Sequence, residues 1–205
     1  MMLGDERYLY LGFHGCEKQL AMEILFQKKD FHQSTNDYDR LGSGIYFWEN
    51  DPQRAYEFAR DVKKCNEPFV LGAVLGLGYC LDLTCRKHVQ SLVSVRSTIV
   101  KPIYDSGNIK PNKPGRNVGE NGELMLRFLD KYVIESLHKF NEAKGFEAYD
   151  SVRAGFWEGQ EIYPTAGFRE KNHIQICIRN PKCVLGVFCL RDNLISNFMF
   201  HLQTK

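Results

Sequence analysis

Gly42-Ser-Gly-Ile-Tyr-Phe47, followed closely by Asn50-Asp51-Pro52, is the stretch that indicates the fold most directly. Two glycines ahead of an aliphatic and aromatic run favour a turn that enters a short strand, which we predict over residues 42–47. Asn50 and Asp51 are residue types that cap helices, and proline is favoured in the first helical turn. The stretch therefore predicts a strand and then a helix that runs to about Val62.

The residues before this stretch predict a second strand and helix. Tyr8-Leu-Tyr-Leu-Gly-Phe13 is aromatic and aliphatic, so we predict a strand that ends at His14-Gly15. Apolar residues then recur at helical spacing, which predicts a helix over 17–27. Residues 30–42 are polar and rich in turn-forming side chains, and we expect a loop there.

The residues after this stretch complete an α+β pattern. Buried strands bent at glycines are expected over 68–83, a helix over 88–100, an exposed loop over 104–122 and a helix over 123–140 that ends before Gly145. Further strands are expected at 146–152, 173–179 and 184–190. Strands at both ends with helices between them lack the regular alternation of a doubly wound sheet, so we expect an α+β fold in one domain over residues 1–205.

Composition narrows the class of protein. A hydrophobic content of 43% and a charged content of 25% are typical of a globular chain, and a net charge of +2 leaves the kind of partner open. No apolar run is long enough to span a bilayer and the first residues do not resemble a signal peptide, so we expect a cytoplasmic protein. Its seven cysteines are expected to be reduced. Cys80, Cys85 and His88 match no common zinc spacing, and no metal is expected.

Two short motifs carry the chemistry. A P-loop is absent, and neither Gly42-Ser-Gly44 nor Gly76-Leu-Gly78 has the third glycine of a dinucleotide fingerprint. The pair formed by His14-Gly15-Cys16 and Gly42-Ser-Gly-Ile-Tyr-Phe47 resembles the diphtheria-toxin and poly(ADP-ribose) polymerase branch of ADP-ribosyltransferases. That resemblance implies a split antiparallel β-sandwich with flanking helices, NAD as the co-substrate, and a core of His14, Tyr46 and Gln175.

The chemistry of NAD suits these residue types. Nicotinamide leaves through a transition state with positive charge on the ribose, so a catalyst must hold the ring and orient the sugar. Tyr46 can stack on nicotinamide, and His14 can bond a ribose hydroxyl. Gly15 can bring its backbone close to the carboxamide. Cys16 and Gly44, which lie within the same two motifs, are also expected to contact NAD. We expect His14 and Tyr46 to lie at a cleft outside the core.

Gln175 stands where the family usually has glutamate. Glutamine can bond a ribose hydroxyl, but it cannot carry negative charge beside the cationic sugar or accept a proton. The resemblance to members that lack the glutamate implies transfer of a single ADP-ribose. Glu170, Glu158 and Glu161 are rival sources of a carboxylate, and Gln175 could also belong to a solvent-facing side of its strand.

The remaining candidates concern the diphosphate and the acceptor. Arg54 could face the diphosphate, with Tyr56 beside it in the helix after Tyr46. The resemblance implies that the loop over 155–171 meets the acceptor, with Arg153, Trp157 and Glu158 as contacts. We also expect three basic residues of the 104–122 loop to serve the acceptor, namely Lys110, Lys113 and Arg116.

Taken together, the sequence predicts a mono-ADP-ribosyltransferase acting on a protein or nucleic acid. By analogy it resembles a bacterial toxin or phage-defence effector, and the expected partners include an antitoxin or inhibitor protein and no membrane. Two other functions stay open. One is an NAD glycohydrolase with water as acceptor, and the other is an inactive module that binds NAD or ADP-ribose.

Overall fold

The computed structural model describes residues 8–114 and 124–191, and over these ranges the fold is α+β. Its strands are β1 (Leu9–Glu17), β2 (Ile45–Glu49), β3 (Pro68–Gly76), β4 (Cys80–Asp82), β5 (Ser151–Phe156), β6 (His173–Ile178) and β7 (Val184–Cys189). Its α-helices are α1 (Lys18–Leu25), α2 (Pro52–Glu57), α3 (Arg86–Val95), α4 (Lys101–Asp105) and α5 (Phe128–Lys144). These elements belong to two compact units.

The first unit comprises Met1–Phe31, Phe47–Gly76 and Lys182–Lys205. Its strands lie in the order β2-β1-β3-β7, and all these neighbours are antiparallel. The expectation that the first strand ends at His14 is wrong, because β3 pairs with β1 as far as Glu17 opposite Pro68. His14 therefore lies within a strand and not at its end.

Two short helices pack on this first sheet. Helix α1 buries Ala21 and Ile24 in an apolar cluster with Cys16 and Leu71. Helix α2 begins with Pro52, as expected. The carboxylate of Asp51 caps it by accepting a hydrogen bond from the Arg54 N–H at 2.9 Å, and a π-helical turn over Phe58–Val62 continues it. The predicted helix to Val62 is confirmed.

The second unit comprises His32–Tyr46 and Leu77–Pro181. Its strands lie in the order β4-β5-β6; β5 is antiparallel to β6, but β4 is parallel to β5. The strands of the described residues therefore do not form a purely antiparallel sheet, which was the expectation. Strand β5 also begins at Ser151, later than the predicted start at residue 146. Asp150, just before it, instead bonds the backbone N–H groups of Tyr79, Arg179 and Asn180.

Helix α5 covers the core of this unit. It buries Val133, Ile134 and Leu137 against a cluster that includes Val152 and Cys177. It ends at Gly145, whose φ of 69° is the left-handed conformation that favours glycine at a helix end. The predicted helix and its glycine stop are thus confirmed, although residues 124–127 are not helical.

The start of α5 is capped by a residue outside the helix. The side-chain oxygen of Asn112 accepts hydrogen bonds from the backbone N–H groups of Leu129 at 2.8 Å and Asp130 at 3.2 Å. The Asn112 amide in turn donates to the Asp130 carboxylate at 2.7 Å. This cap in trans explains why α5 begins near Phe128, because the first turn of a helix leaves N–H groups that need partners.

We predict that Asn112→Ala destabilises the protein by about 1 kcal/mol, the usual cost of losing a helix cap. Urea unfolding followed by circular dichroism measures this change. Asn108→Ala is the matched control, since the Asn108 amide bonds the Ser106 hydroxyl and not the helix. Equal stability of Asn112→Ala and the unaltered protein would contradict the cap.

His138 of α5 predicts a pH dependence of stability. Burial, followed by the nearby charge of Arg179, lowers the pKa of His138 to about 4. In the unfolded chain His138 takes up a proton near the ordinary histidine pKa of about 6.5, whereas in the folded chain it stays neutral down to about pH 4. The free energy of unfolding therefore falls as the pH falls from about 6.5 to about 4. In His138→Gln this part of the loss should vanish. Unfolding free energies at several pH values test it, and parallel pH profiles for the two proteins would refute it.

Candidate functional site

His14 lies in the first unit between two phenylalanine rings. The centroid of its imidazole is 5.3 Å from that of Phe31, edge to face, and 5.8 Å from that of Phe47. Its side chain is partly buried, and the two phenylalanines also contact each other at 5.3 Å. Aromatic contacts of this kind fix the ring plane. His14 is therefore held in one orientation, as a group that orients a substrate must be.

The two residues after His14 serve packing. A Cβ on Gly15 would collide with the backbone carbonyl of Ala55 in α2, so glycine is required there for the helix to approach the strand. The Gly15 carbonyl accepts a hydrogen bond from Lys63 Nζ at 3.3 Å. Cys16 is buried in the α1 cluster, and burial raises the pKa of its thiol to about 11. The expected role of Cys16 at the cofactor is not supported, because its side chain belongs to the core.

The candidates in α2 are also engaged within the first unit. The Arg54 guanidinium bonds the Glu57 carboxylate at 2.7 Å, and both side chains are largely buried. Tyr56 is buried in the cluster that contains Phe13 and Trp48. The expected cofactor contact of Tyr56 is therefore not supported, and a diphosphate would have to compete with Glu57 for Arg54.

Tyr46 belongs to the second unit, where its hydroxyl is tied to the turn before β2. The hydroxyl donates to the Gly42 carbonyl at 2.7 Å and accepts from the Leu41 N–H at 2.9 Å. The ring packs against the core cluster, and burial raises the pKa of the phenol well above its usual value. Tyr46 is therefore partly buried at the edge of the core cluster, with its hydroxyl engaged by backbone groups of the turn.

Gly44 allows this turn to lie close to β6. A Cβ on Gly44 would lie 2.6 Å from both Cys177 Sγ and the Ile178 carbonyl oxygen, so glycine is required for this approach. The Gly44 N–H and carbonyl are both bonded to the backbone of Ser34, at 3.0 and 2.8 Å. The expected cofactor contact of Gly44 is therefore not supported by its main-chain bonding.

Gln175 lies on β6 opposite Ala154 of β5. The residue is only 7% exposed, and its Oε1 atom is fully buried with no hydrogen-bond partner among the described residues. The alternative of a solvent-facing side is wrong, because His173 and Cys177 on the same side of the strand are buried too. Buried amides nearly always have hydrogen-bond partners. An unbonded one on a core-facing strand is a position where a ligand can supply the missing group.

A buried ion pair lies near this strand, and the sequence analysis did not single out its arginine. Arg40 bonds the carboxylate of Glu158, which is 6% exposed, and the Arg40 guanidinium lies 5.0 Å from the centroid of the Phe156 ring. Arg127 lies over the same ring at 5.8 Å. Phe156 itself stacks on His173, its partner on β6, at 5.6 Å. Two cations and a carboxylate are thus placed beside the strand pair that carries Gln175.

No sequence signal could have found this ion pair. Arg40 and Glu158 are 118 residues apart, and neither lies in a recognisable motif. Only the approach of the turn before β2 to the end of β5 brings them together. A charged residue in a polar loop is more often exposed than buried, so the sequence favoured the opposite interpretation.

The three expected acceptor contacts have different surroundings. Arg153 lies in β5 and bonds the Asp82 carboxylate at 3.0 Å, whereas Trp157 is 62% exposed. Glu158 is not an exposed loop carboxylate, because it is buried on Arg40. The rivals Glu161 and Glu170 are exposed. Trp157 is thus the candidate of the three that presents its side chain to solvent.

No protein-family model, curated protein or solved structure matches this chain. Within residues 8–114 and 124–191, no group of three or more His, Cys, Asp or Glu side chains is placed to hold a metal ion. None of the helices in these ranges is long and apolar enough to cross a membrane.

We predict that Tyr46→Phe destabilises the protein by about 1–3 kcal/mol, because it removes the hydroxyl that accepts from the buried Leu41 N–H and donates to the Gly42 carbonyl. Tyr132→Phe is the control, since Tyr132 is exposed on α5 and should tolerate loss of its hydroxyl. Urea unfolding of both variants measures the difference. Equal stability of Tyr46→Phe and the control would show that the hydroxyl bonds contribute nothing.

Proposed function

We propose that this chain is an NAD-dependent mono-ADP-ribosyltransferase that transfers ADP-ribose to a macromolecular acceptor. The proposal includes the split β-sandwich of that family, with the parallel β4–β5 pair as a departure from it. Its support is the resemblance at His14-Gly15 and Gly42-Ser-Gly-Ile-Tyr-Phe47, together with the surroundings of Gln175. The setting proposed by the same analogy is a cytoplasmic toxin or defence effector with an antitoxin or inhibitor as partner.

The observation that carries this proposal is the buried Oε1 atom of Gln175, which has no hydrogen-bond partner among residues 8–114 and 124–191. A buried polar group without a partner costs about 1–3 kcal/mol, and a ligand that completes its hydrogen bonding would recover that free energy. A ribose hydroxyl can donate to the amide oxygen or accept from the amide nitrogen. Gln175 also occupies the position at which the family pattern places the residue that holds the ribose.

His14 would orient the sugar from its fixed ring. Either imidazole nitrogen can bond a ribose hydroxyl, and the Phe31 and Phe47 contacts limit the ring's rotation. In the reaction the bond from C1′ to the nicotinamide nitrogen breaks, and nicotinamide leaves with the electron pair. The acceptor's nucleophile then bonds C1′ and releases its proton. Because the protein forms no covalent bond in these steps, much of the rate enhancement would come from holding the sugar in the reactive orientation.

The surroundings of the rival carboxylates favour glutamine as the working residue. Glu161 and Glu170 are exposed, where water screens their charge. Glu158 is buried, but its charge is balanced by Arg40. We therefore assign the hydrogen bond to the ribose to Gln175, and we assign no free carboxylate to the reaction.

An NAD glycohydrolase is the second candidate function. Gln175 favours it over chain building, since an amide cannot take the proton from an acceptor hydroxyl of a growing chain. The two enzymes differ in whether nicotinamide release depends on an added acceptor. A binding module would take up NAD without releasing nicotinamide at all.

The test uses the purified full chain and NAD labelled in the adenylate phosphate. Nicotinamide release is measured with and without cell lysate, and labelled lysate products are digested with nuclease or protease. A transferase yields label in macromolecules, a glycohydrolase yields free ADP-ribose, and a binding module yields neither. Absence of nicotinamide release under all conditions would overturn the proposal.

We predict that His14→Ala removes most nicotinamide release and that Gln175→Ala lowers it by about tenfold to a hundredfold, equivalent to about 1–3 kcal/mol. Gln175→Glu should keep or raise the hydrolysis of NAD, because it adds negative charge beside the developing cation. Gln90→Ala on the exposed side of α3 is the matched control. A mild Gln175→Ala together with an inactive Glu170→Gln would move the catalytic role to Glu170.

A further inference from the structure

A groove in the second unit is lined by lysines, carboxylates and aromatic side chains, and Gln175 is not among its lining residues. Its volume is about 320 Å³, within the range of small ligand pockets. One wall is a face of α5 that presents Phe128, Lys131, Tyr132 and Lys139 at helical spacing. The other wall is the segment that contains Lys110.

The charge of this groove is positive on balance. Three lysines line it, together with Asp37 and Glu135. The Glu135 carboxylate is already engaged, because it accepts from the Ser43 N–H at 2.6 Å and lies 3.5 Å from Arg179. These partners outweigh the effect of burial and lower the pKa of Glu135. The lysines are thus opposed mainly by Asp37.

Aromatic surface lies between these cations. Tyr132 is 38% exposed, and the Lys110 Nζ lies 5.5 Å from the centroid of the Phe128 ring. Tyr38 packs edge to face on the other part of Phe128 at 6.1 Å and is exposed as well. The groove therefore alternates positive charge with aromatic faces.

Both walls are held in place. Asn112 caps the start of α5, and Lys113 pairs with Leu126 through two backbone hydrogen bonds of 2.8 and 2.9 Å. Lys131 is anchored by bonds from its Nζ to the carbonyls of Thr35 and Asn36. The expected exposed loop is confirmed over most of residues 106–114, whereas Tyr104 and Asp105 belong to α4 and Lys113 forms an isolated bridge with Leu126. Arg116 lies outside the described residues.

We propose that this groove binds a single-stranded nucleic acid, which on the proposed function is the ADP-ribose acceptor or the strand that carries it. Proteins bind single strands by combining a positively charged groove with aromatic side chains on which bases stack. An acidic peptide would use the lysines but not the aromatic faces. A duplex has its bases stacked inside, so it cannot place them on Tyr132.

The test measures binding without NAD, so that it does not depend on catalysis. Fluorescence anisotropy is recorded for the full chain with labelled single-stranded RNA and DNA oligonucleotides, with the same sequence as duplex and with a poly-glutamate peptide. Lys110→Ala/Lys139→Ala should weaken single-strand binding at least about tenfold. It should also reduce the salt slope by about 1.4, because each phosphate that the protein no longer neutralises accounts for about 0.7. Tyr132→Ala should weaken binding about fivefold or more, and Tyr132→Phe should restore it.

The matched control is Lys87→Ala/Lys144→Ala, which removes two exposed helix lysines of the same unit that lie outside the groove. Circular dichroism and thermal unfolding verify that each variant is folded. The proposal is overturned if no oligonucleotide binds, if the control weakens binding as much as the groove variant, or if duplex or poly-glutamate binds as tightly as single strand. Oligonucleotide binding with no nicotinamide release would support the groove and refute only the proposed transfer reaction.

Discussion

The approach of Gly44 to β6 is the constraint on which the second unit depends. Because Gly44 has no side chain, the turn before β2 can lie against Cys177 and Ile178. Two backbone hydrogen bonds to Ser34 hold it there. The turn also bonds the Tyr46 hydroxyl, so the ring of Tyr46 is fixed relative to the strand that carries Gln175. A larger residue at position 44 would separate the two and open the core between them.

The buried ion pair of this unit also depends on the position of the turn before β2. Arg40 comes from the segment just before the turn, and it meets Glu158 where β5 ends. Removing one partner of a buried pair leaves an uncompensated charge and is strongly destabilising. The pair therefore holds the end of β5 beside Phe156, which lies across from His173. Within the same strand pair, the buried Gln175 Oε1 atom has no hydrogen-bond partner among the described residues.

The sequence predicted most elements of the fold because their signals are local. The cap and proline at the start of α2, the glycine after α5 and the apolar strands near the C-terminus all act within a few residues. The start of α5 was misjudged because its cap comes from Asn112, 17 residues before Leu129. The parallel pairing of β4 with β5 joins residues far apart in the chain, such as Cys80 and Ser151, and no local pattern encodes it.

The site was harder to predict for a related reason. The motif glycines were visible, but Gly15 and Gly44 turn out to serve close packing, which a sequence cannot distinguish from an open backbone at a ligand. The burial of Gln175 was likewise ambiguous, since alternating polar and apolar residues usually indicate one exposed side of a strand. The ion pair between Arg40 and Glu158 depends on the tertiary fold alone.

On the proposed function, NAD supplies a hydrogen-bond partner for the buried Gln175 amide, whose Oε1 atom has none among the described residues. Its side-chain NH₂ resonances can be assigned in a ¹⁵N-labelled sample by their loss in Gln175→Ala and then followed during a titration with NAD. We expect these resonances to shift with the same saturation curve as NAD binding, while those of an exposed residue such as Gln90 stay in place. Saturation with NAD that leaves the Gln175 resonances unchanged, or no NAD binding at all, would contradict it.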